Sequence, residues 1–463
     1  MKGKLISALL ACSAAPLAHA QSWTQVIQSA APEQFLSLAP ERSLAMDGAG
    51  LLFVQTRNLS VSGPASIDVH ALNAKGARLT WLTSALPIFN DGTFMPRGVS
   101  ARDGDRVNWV ESGPDGARVP RVFVYRAGET TRYRSLSFQG GITVTHAISG
   151  GGGGVYIARL PAGHARPMIQ YYGAGTQFWS RDVRGCAAGP YLPAALLALD
   201  VDLPSNTLTT VSRCLHVSAP GAIAVETFDA VTGSPLATRY GWPYADSAAP
   251  VVAAQPIGNG AFVLEQHDVA SGERVLRRVD IDFDGDALPL PAGFVPQPVA
   301  RHTGGGLIPA INTTGHAIGA WQFIDGREHW LDFPALSGAH FPYLPDFPAT
   351  RFAWSGDGLG NSVVAFKLPQ SDESGPVQVA AMGPSGKEMW RRSTDAYPFT
   401  QPVGNVALIA VPDSDEVVLA ADEVAADEPG SIAPTGVIHV EQFRIEEGGG
   451  TVTWPPVAVS VPR

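Results

Sequence analysis

A short hairpin pattern recurs along this chain, and the repetition restricts its fold more than any other feature. Each copy has a strand-like run, a Gly-containing turn and a second strand-like run, and several copies end in Trp. Eight copies occur, with turn glycines spaced 41 to 64 residues apart. β-branched and aromatic residues that alternate with polar ones around such turns indicate β-hairpins. The glycines are Gly76, Gly128, Gly175, Gly233, Gly285, Gly326, Gly386 and Gly450.

Further strand-like runs lie upstream of most hairpins. Examples are GLLFVQTR, RVNWVES, GVYIARL, TLTTVSR, AFVLEQH and SVVAFKL. One additional short strand between copies would complete four strands per repeat. Four-stranded units that repeat every roughly 40 to 60 residues are typical of propeller blades. The sequence therefore predicts an all-β, almost helix-free fold, a seven- or eight-bladed β-propeller of four-stranded antiparallel blades.

Large aromatic residues are expected where neighbouring blades meet, because a single blade buries too little apolar surface to be stable. The recurrent tryptophans should wedge between blades, with ligand stacking as the alternative. The C-terminal VAVSVPR should complete a blade or pair with the first strands to close the ring. Residues 23–42 show the weakest pattern. The tryptophans are Trp81, Trp179, Trp330, Trp390 and Trp454.

The chain begins like an exported protein. A basic MKGK segment precedes the apolar run LISALLA, and small residues end in AHA at position 20, the order of a cleaved signal peptide. This order predicts a signal peptide at residues 1–20 and one propeller domain at residues 21–463, periplasmic or secreted. The alternative is a lipoprotein anchored through Cys12, which follows Leu-Leu-Ala. No later run approaches the roughly 20 apolar residues of a membrane-spanning helix, so no transmembrane segment is expected.

Two cysteines, Cys186 and Cys214, remain once the signal peptide is removed. An even pair in an oxidising compartment predicts one disulfide bond, with two separate buried thiols as the alternative. A formal charge of −10 offers no basic surface to nucleic acid or an anionic membrane, so both partners are disfavoured. A protein or glycan ligand is compatible with this composition.

The hairpin endings NAKGARLTW, GPSGKEMW, IDGREHW and DAVTGSPL resemble the D-A-x-T-G-x-x-x-W unit of the quinoprotein-like (PQQ-like) β-propellers. That family includes quinone-dependent alcohol dehydrogenases and non-catalytic periplasmic scaffold proteins. Its quinone-using members carry adjacent cysteines beside the cofactor and a carboxylate-held calcium in the channel. This sequence has no adjacent cysteines, so the resemblance implies the non-catalytic branch and no quinone. It extends from about Ser43 to Trp454 and concerns architecture.

Catalytic motifs are missing from the sequence: it contains no G-x-S-x-G, no H-E-x-x-H and no phosphate-binding G-x-x-x-x-G-K-S/T. This favours an exported binding or scaffold protein without catalysis. The alternative is a propeller enzyme, a glycan hydrolase or lyase, whose catalytic residues come singly from several blades around the channel. Carboxylates or histidines clustered in the channel with shifted pKa values would favour the enzyme.

The string DIDFDGD at the fifth hairpin turn is a candidate calcium site, because alternate carboxylates around a glycine can converge on a hard cation. A solvated Asp-Gly turn is the simpler alternative, since tight turns need these residues anyway. The carboxylates are Asp280, Asp282, Asp284 and Asp286.

An aromatic, proline-rich segment is a candidate binding surface for a sugar or a peptide. The favoured alternative is that its rings pack under a long connection between blades. The rings are Phe341, Tyr343, Phe347, Phe352 and Trp354.

Overall fold

The computed structural model contains only β-strands among the residues it describes, so the expected helix-free fold is confirmed there. No helix of membrane-spanning length and hydropathy occurs in this part of the chain. The described residues run from 23 to 446, interrupted at 29–33, 40–42, 61–65, 87–93, 103, 113–118, 127–133, 139–141, 162–165, 174–176, 184–191, 216–222, 242–249, 259, 269, 282–286, 303–304, 313–317, 325–326, 333–351, 358, 368–376, 394–404, 413 and 426–434.

Eight antiparallel sheets follow one another along the chain, and each is one blade. Blade 1 contains β2 (Gln34–Leu38), β3 (Leu44–Met46), β4 (Leu52–Ser60), β5 (Ser66–Leu72) and β6 (Ser84–Ala85). Blade 2 contains β7 (Phe94–Arg102), β8 (Asp105–Ser112), β9 (Val119–Tyr125) and β10 (Arg134–Ser137). Blade 3 contains β11 (Thr143–Gly151), β12 (Gly154–Leu160), β13 (Met168–Tyr172) and β14 (Gln177–Asp182). Blade 4 contains β15 (Leu192–Asp202), β16 (Thr207–Leu215), β17 (Ile223–Asp229) and β18 (Pro235–Gly241).

The second half of the chain repeats this order. Blade 5 contains β19 (Val251–Gly258), β20 (Ala261–His267), β21 (Arg274–Val279) and β22 (Ala287–Pro289). Blade 6 contains β23 (Phe294–Pro296), β24 (Ala300–His302), β25 (Gly305–Asn312), β26 (Ile318–Ile324) and β27 (Arg327–Asp332). Blade 7 contains β28 (Phe352–Gly356), β29 (Ser362–Lys367), β30 (Val377–Met382) and β31 (Glu388–Ser393). Blade 8 contains β32 (Val406–Ala410), β33 (Glu416–Ala425), β34 (Thr435–Arg444) and the N-terminal strand β1 (Trp23–Gln28).

Blade 8 is built from both ends of the described chain. Strand β1 pairs antiparallel with β34, with Trp23 opposite Gln442 and Gln28 opposite Val437. The sequence predicted that a hairpin around Gly450 would supply the last strand of this blade. That expectation is wrong, because β33 and β1 already occupy the two edges of β34. Residues 447–463, which include VAVSVPR, lie outside the described residues.

An apolar cluster lies in each of the eight seams between neighbouring blades, within the described residues. The cluster between blades 8 and 1 joins Ile438 and Val440 to Leu36, Leu52 and other residues of blade 1. Because this last seam is packed like the others, the ring is closed. The chain is therefore an eight-bladed β-propeller, the higher of the two predicted blade counts.

The tryptophans behave less uniformly than expected. Trp179 is buried between blades 3 and 4, and Trp390 packs between blades 7 and 8, where its Nε1 donates to the carbonyl of Ile445 at 2.6 Å. Trp330 is partly buried against the cluster between blades 5 and 6. Trp81 is 45% exposed and does not wedge between blades, contrary to the expectation. Trp454 lies outside the described residues.

A candidate binding site in the central channel

The innermost strand of blade 8, β32, turns its described side chains into the two adjacent seams. In β32, Val406 packs between blades 7 and 8, whereas Ala407 and Ile409 pack between blades 8 and 1. The backbone edge of the strand therefore faces the channel. This is the arrangement expected when strands of alternating side chains stack radially, since both faces of each sheet are covered.

A cavity of about 730 Å³ lies in the channel, bounded by the inner strands of blades 1, 2, 5, 6, 7 and 8. Most of its described lining is aliphatic or proline, such as Leu44, Val99 and Pro298. The polar lining residues are Ser43, Gln255, Gln297, Arg301, Ser355 and Asn405. A volume of this size is typical of ligand pockets.

Arg301 carries the only charge among the described lining residues, and this charge is paired. Its Nη2 donates to Asp200 Oδ1 at 2.9 Å, and its Nε donates to the carbonyl of Pro256 at 3.0 Å. Arg301 belongs to β24 of blade 6 and Asp200 to β15 of blade 4, so the ion pair joins two blades that are separated by blade 5. The cavity is consequently close to neutral.

A second arginine reaches the same end of β15. Arg102 is the last residue of β7 in blade 2, and its Nη2 donates to the carbonyl of Val201 at 3.4 Å. Arg301 approaches β15 from blade 6 on the other side. Both contacts lie where the inner strands lead into their first turns, so this end of the channel is crossed by polar bridges.

Gln255 supports an interruption in the inner wall of blade 6, between β23 and β24. Its Oε1 accepts from the backbone N–H of Val299 at 2.5 Å, and its Nε2 donates to the carbonyl of Gln297 at 3.5 Å. The interruption lets β23 and β24 pair separately with β25. The amide of Gln255 is thus used to shape the wall.

Ser355 is the lining residue with an unused polar group. It lies on β28, is 1% exposed, and its Oγ has no hydrogen-bond partner among the described residues. A buried hydroxyl without a partner costs free energy, on the order of 1–3 kcal/mol. The Oγ atom itself is covered, so the cavity is lined by other atoms of Ser355.

The groups with shifted pKa values lie away from the described cavity lining. Burial and the guanidinium groups of Arg78 and Arg106 lower the pKa of His70 to about 3. Burial raises the pKa of Glu416, on β33. Burial also lowers the pKa of Arg106, which lies under the ring of Tyr125. These residues lie in blades 1, 2 and 8 and are not among the cavity-lining residues.

The aromatic segment predicted as a binding surface is described only in part. Trp354 lies on β28, is 6% exposed, packs between blades 6 and 7, and also borders the cavity. Phe352 is the first residue of β28, but its side chain is not described. Phe341, Tyr343 and Phe347 lie outside the described residues. A binding role for this group stays a prediction.

Most residues of the predicted calcium and disulfide sites also lie outside the described residues. Asp280 follows β21 and is half-buried, whereas Asp282, Asp284 and Asp286 are outside the described residues. No cluster of three or more potential metal ligands occurs among the residues that are described. Cys214 lies on β16 opposite Pro193, whereas Cys186 lies outside the described residues. Both sites stay predictions.

Sequence reasoning did not identify the cavity, because its residues come singly from inner strands without a shared motif. One local signal marks where two of these strands end. Asp47 and Asp357 begin D-G-x-G turns, and the Oδ1 of each accepts N–H groups two and four residues ahead. This second repeat would have located the inner strands of blades 1 and 7.

No protein-family model matches the chain, and the search of curated proteins returns no match. Among solved structures, a prolyl endopeptidase matches with a TM-score of 0.47 and 14% identity over 84% of this chain and 53% of its own. BamB from Moraxella catarrhalis matches with a TM-score of 0.41 and 14% identity, covering 90% of this chain and 100% of its own.

The β-propeller domain of the Trilobed protease from Pyrococcus furiosus matches with a TM-score of 0.38 and 9% identity, covering 76% of this chain and 94% of its own. The present chain spans about half the length of the prolyl endopeptidase. Likenesses of this strength carry no argument about function. The propeller assignment therefore rests on the eight sheets and their packed seams.

Proposed function

We propose that this chain is an exported, non-catalytic β-propeller that binds a ligand in its central channel. The observation that supports this proposal most is the chemistry of the cavity. Among the described lining residues only Arg301 is charged, and it is paired with Asp200. General acid–base or nucleophilic catalysis needs a titratable group beside the reacting atoms. Apart from Arg301, the described lining supplies aliphatic, aromatic, amide and hydroxyl groups, with no carboxylate, imidazole or thiol beside the hydroxyls to activate them.

The alternative hypothesis, a glycan hydrolase or lyase, is not supported by the residues that line the cavity. It requires carboxylates or histidines converging on the channel. The described lining contains neither type. The resemblance to the non-catalytic quinoprotein-like propellers points in the same direction as the neutral cavity, and a quinone has no cysteine pair to lie beside.

The export part of the proposal is supported by the leader-like residues 1–20. The mass and N-terminal sequence of the exported protein test this part of the proposal. A chain that begins at Gln21 supports a cleaved, released form, whereas a lipidated Cys12 supports a membrane-anchored form. An uncleaved chain retained inside the cell contradicts export. The same preparation tests the Cys186–Cys214 bond by non-reduced peptide mapping, and calcium titration tests the DIDFDGD site.

Native mass spectrometry of the exported protein tests binding. We expect a small molecule or peptide to be retained and lost in Ala253→Trp, which fills the cavity. The matched control is Ala237→Trp, on the exposed outer strand β18 of blade 4. Assays with glycan and peptide substrates should show no turnover. Turnover that Ala253→Trp abolishes and Ala237→Trp leaves intact would make the protein an enzyme.

A further inference from the structure

We infer that the cavity binds an extended, uncharged peptide segment of a partner protein, which adds as a strand to the channel-facing edge of β32. This inference rests on the proposed binding function and names the ligand class for the same site. Its main evidence is that the wall at β32 is made of backbone groups.

Successive residues of β32 alternate between hydrogen bonding to β33 and pointing away from it, and this alternation shows which backbone groups face the channel. Asp422 N donates to the carbonyl of Asn405 at 3.0 Å, and Val411 N donates to the carbonyl of Glu416 at 2.9 Å. Odd-numbered residues therefore bond β33. In an antiparallel pair the alternate residues point their N–H and C=O groups away from the partner strand. Val406, Leu408 and Ala410 thus offer theirs to the channel.

This edge is open within the described structure, because β32 pairs with β33 alone. An unpaired strand edge is a template for another extended chain, and peptide binding by strand addition uses these main-chain hydrogen bonds. Side chains do not block the approach, since those of β32 lie in the seams on either side.

The lining chemistry favours a peptide over a glycan. Sugars are commonly bound by stacking on exposed aromatic rings. Trp354 is the only aromatic residue in the described lining, and 94% of its surface is covered, as its 6% exposure shows. The open backbone edge of β32 instead complements the alternating N–H donors and C=O acceptors of an extended peptide.

The charge of the cavity restricts the ligand class further. The Arg301–Asp200 pair leaves no net charge to attract a charged side chain, and burying one unpaired would be costly.

The experiment uses the exported protein and a pool of acetylated, amidated hexapeptides made from Ala, Val, Leu, Thr and Ser. Retained peptides are sequenced by mass spectrometry, resynthesised and titrated by calorimetry. We expect specific members to be retained, and their versions N-methylated at alternate residues to lose binding. Equal binding of the N-methylated versions would overturn the inference.

Two variants test the named atoms. Ala410→Pro removes one channel-facing N–H while leaving the odd-numbered ladder to β33 intact, and should weaken peptide binding about tenfold with little change in melting temperature. Leu408→Pro removes another channel-facing N–H at a residue that lines the cavity, and should weaken binding by a similar factor. The matched control is Leu408→Ala, which shortens the same side chain but keeps the N–H.

Unchanged affinity in both Ala410→Pro and Leu408→Pro would place the peptide elsewhere and overturn the inference. Cellotetraose, a neutral oligosaccharide, is titrated in parallel. Binding of cellotetraose that Ala253→Trp blocks, without peptide retention, would overturn the peptide inference and leave the proposed binding function standing. Retention of neither probe, together with no molecule retained in native mass spectrometry, would overturn both.

Discussion

The seam between blades 8 and 1, the closure seam, differs from the seam between blades 3 and 4, the aromatic seam. At the closure seam the buried carboxylate of Asp422 accepts from Ser37 Oγ and Leu38 N, each at 2.9 Å, and from Asn405 Nδ2 at 3.1 Å. At the aromatic seam, Tyr156 stacks on Tyr171 with centroids 4.5 Å apart, and Trp179 packs beside both rings.

The contrast reflects how the two seams form. Blades 3 and 4 are neighbours in sequence, and their mainly aromatic seam is crossed by hydrogen bonds from Tyr156 OH to the carbonyl of Ala230 at 3.0 Å and from Arg181 Nε to the carbonyl of Gly233 at 2.9 Å. Ser37 and Asp422 are 385 residues apart, and the chain connects their blades only where β1 of blade 8 precedes β2 of blade 1. Apolar contact is non-directional, whereas hydrogen bonds specify position. The closure seam therefore combines an apolar cluster with a buried polar network that sets the register of the last contact.

The largest expected effect comes from breaking the closure network with Asp422→Ala. Ser37, Leu38 and Asn405 would lose a buried charged acceptor, which should lower the free energy of unfolding by about 4 kcal/mol. Chemical denaturation monitored by tryptophan fluorescence measures the loss. The control is Asp268→Ala, which removes a carboxylate that accepts two N–H groups in an exposed turn. Equal losses in both variants would contradict a special role for the closure seam.

Trp179→Ala tests the aromatic seam. Trp179 is 7% exposed, and its removal leaves a cavity between blades 3 and 4, so we expect a loss of about 3 kcal/mol. Phe178→Ala is the matched control, because the neighbouring ring is 60% exposed on the same strand. That control should lose less than about 1 kcal/mol. If the two losses are alike, burial in the seam does not explain the stability.

The next expected effect depends on pH and involves His70 in blade 1. Its Nδ1 accepts from Arg78 and its Nε2 lies 3.2 Å from Thr56 Oγ1, so the ring is neutral in the folded protein. The unfolded chain takes up a proton below pH 6.5, whereas folded His70 does so only near its pKa of about 3. Stability is therefore lost as the pH falls from 6.5 towards 3.

At pH 5 the loss should be about 2 kcal/mol, because each unit corresponds to about 1.4 kcal/mol. Denaturation of the wild type and His70→Gln at pH 7.5 and pH 5 measures the difference. The variant should have the shallower pH dependence, and Trp179→Ala should keep the wild-type one. An unchanged slope in His70→Gln would show that His70 is not the responsible group.

The smallest expected effect concerns a contact between a turn glycine and a tryptophan ring, which both seams share. Gly76 lies under Trp23 at the closure seam, and Gly233 lies under Trp179 at the aromatic seam, both with positive φ. Gly272 also has a positive φ but has open space where a Cβ would project. Gly272→Ala should cost about 1 kcal/mol through backbone strain alone.

Gly76→Ala and Gly233→Ala should each cost about 1 kcal/mol more than Gly272→Ala, since the added methyl meets an indole ring. Thermal melts of the three variants measure the difference. Equal costs would mean that the tryptophans move aside and that the contact with glycine contributes little.

Much of the blade structure was predictable because it depends on local pattern. The six upstream runs named from the sequence are the second strands of their blades, such as β4, β12 and β29. Seven of the eight turn glycines lie between the third and fourth strands. Alternation with period two and glycine at a turn needing positive φ are properties of a few adjacent residues.

The candidate site was not predictable in this way. Ser355, Arg301 and Gln255 come from blades 7, 6 and 5 and share no motif. Asp200 lies 101 residues from the arginine that it neutralises. The eighth blade was mispredicted for the same reason, because the pairing of Trp23 with Gln442 joins opposite ends of the chain.

Hydrophobic alternation and turn residues act over short distances, so they are enough to specify that this protein is built from repeated four-stranded β units. Other features exist only in the folded ring: the number of blades, the completion of the last blade by β1, and the neutral cavity with its open strand edge. Those features depend on which distant strands meet when the ring closes. Long-range pairing is set by the packing of whole blades, and no local pattern encodes it.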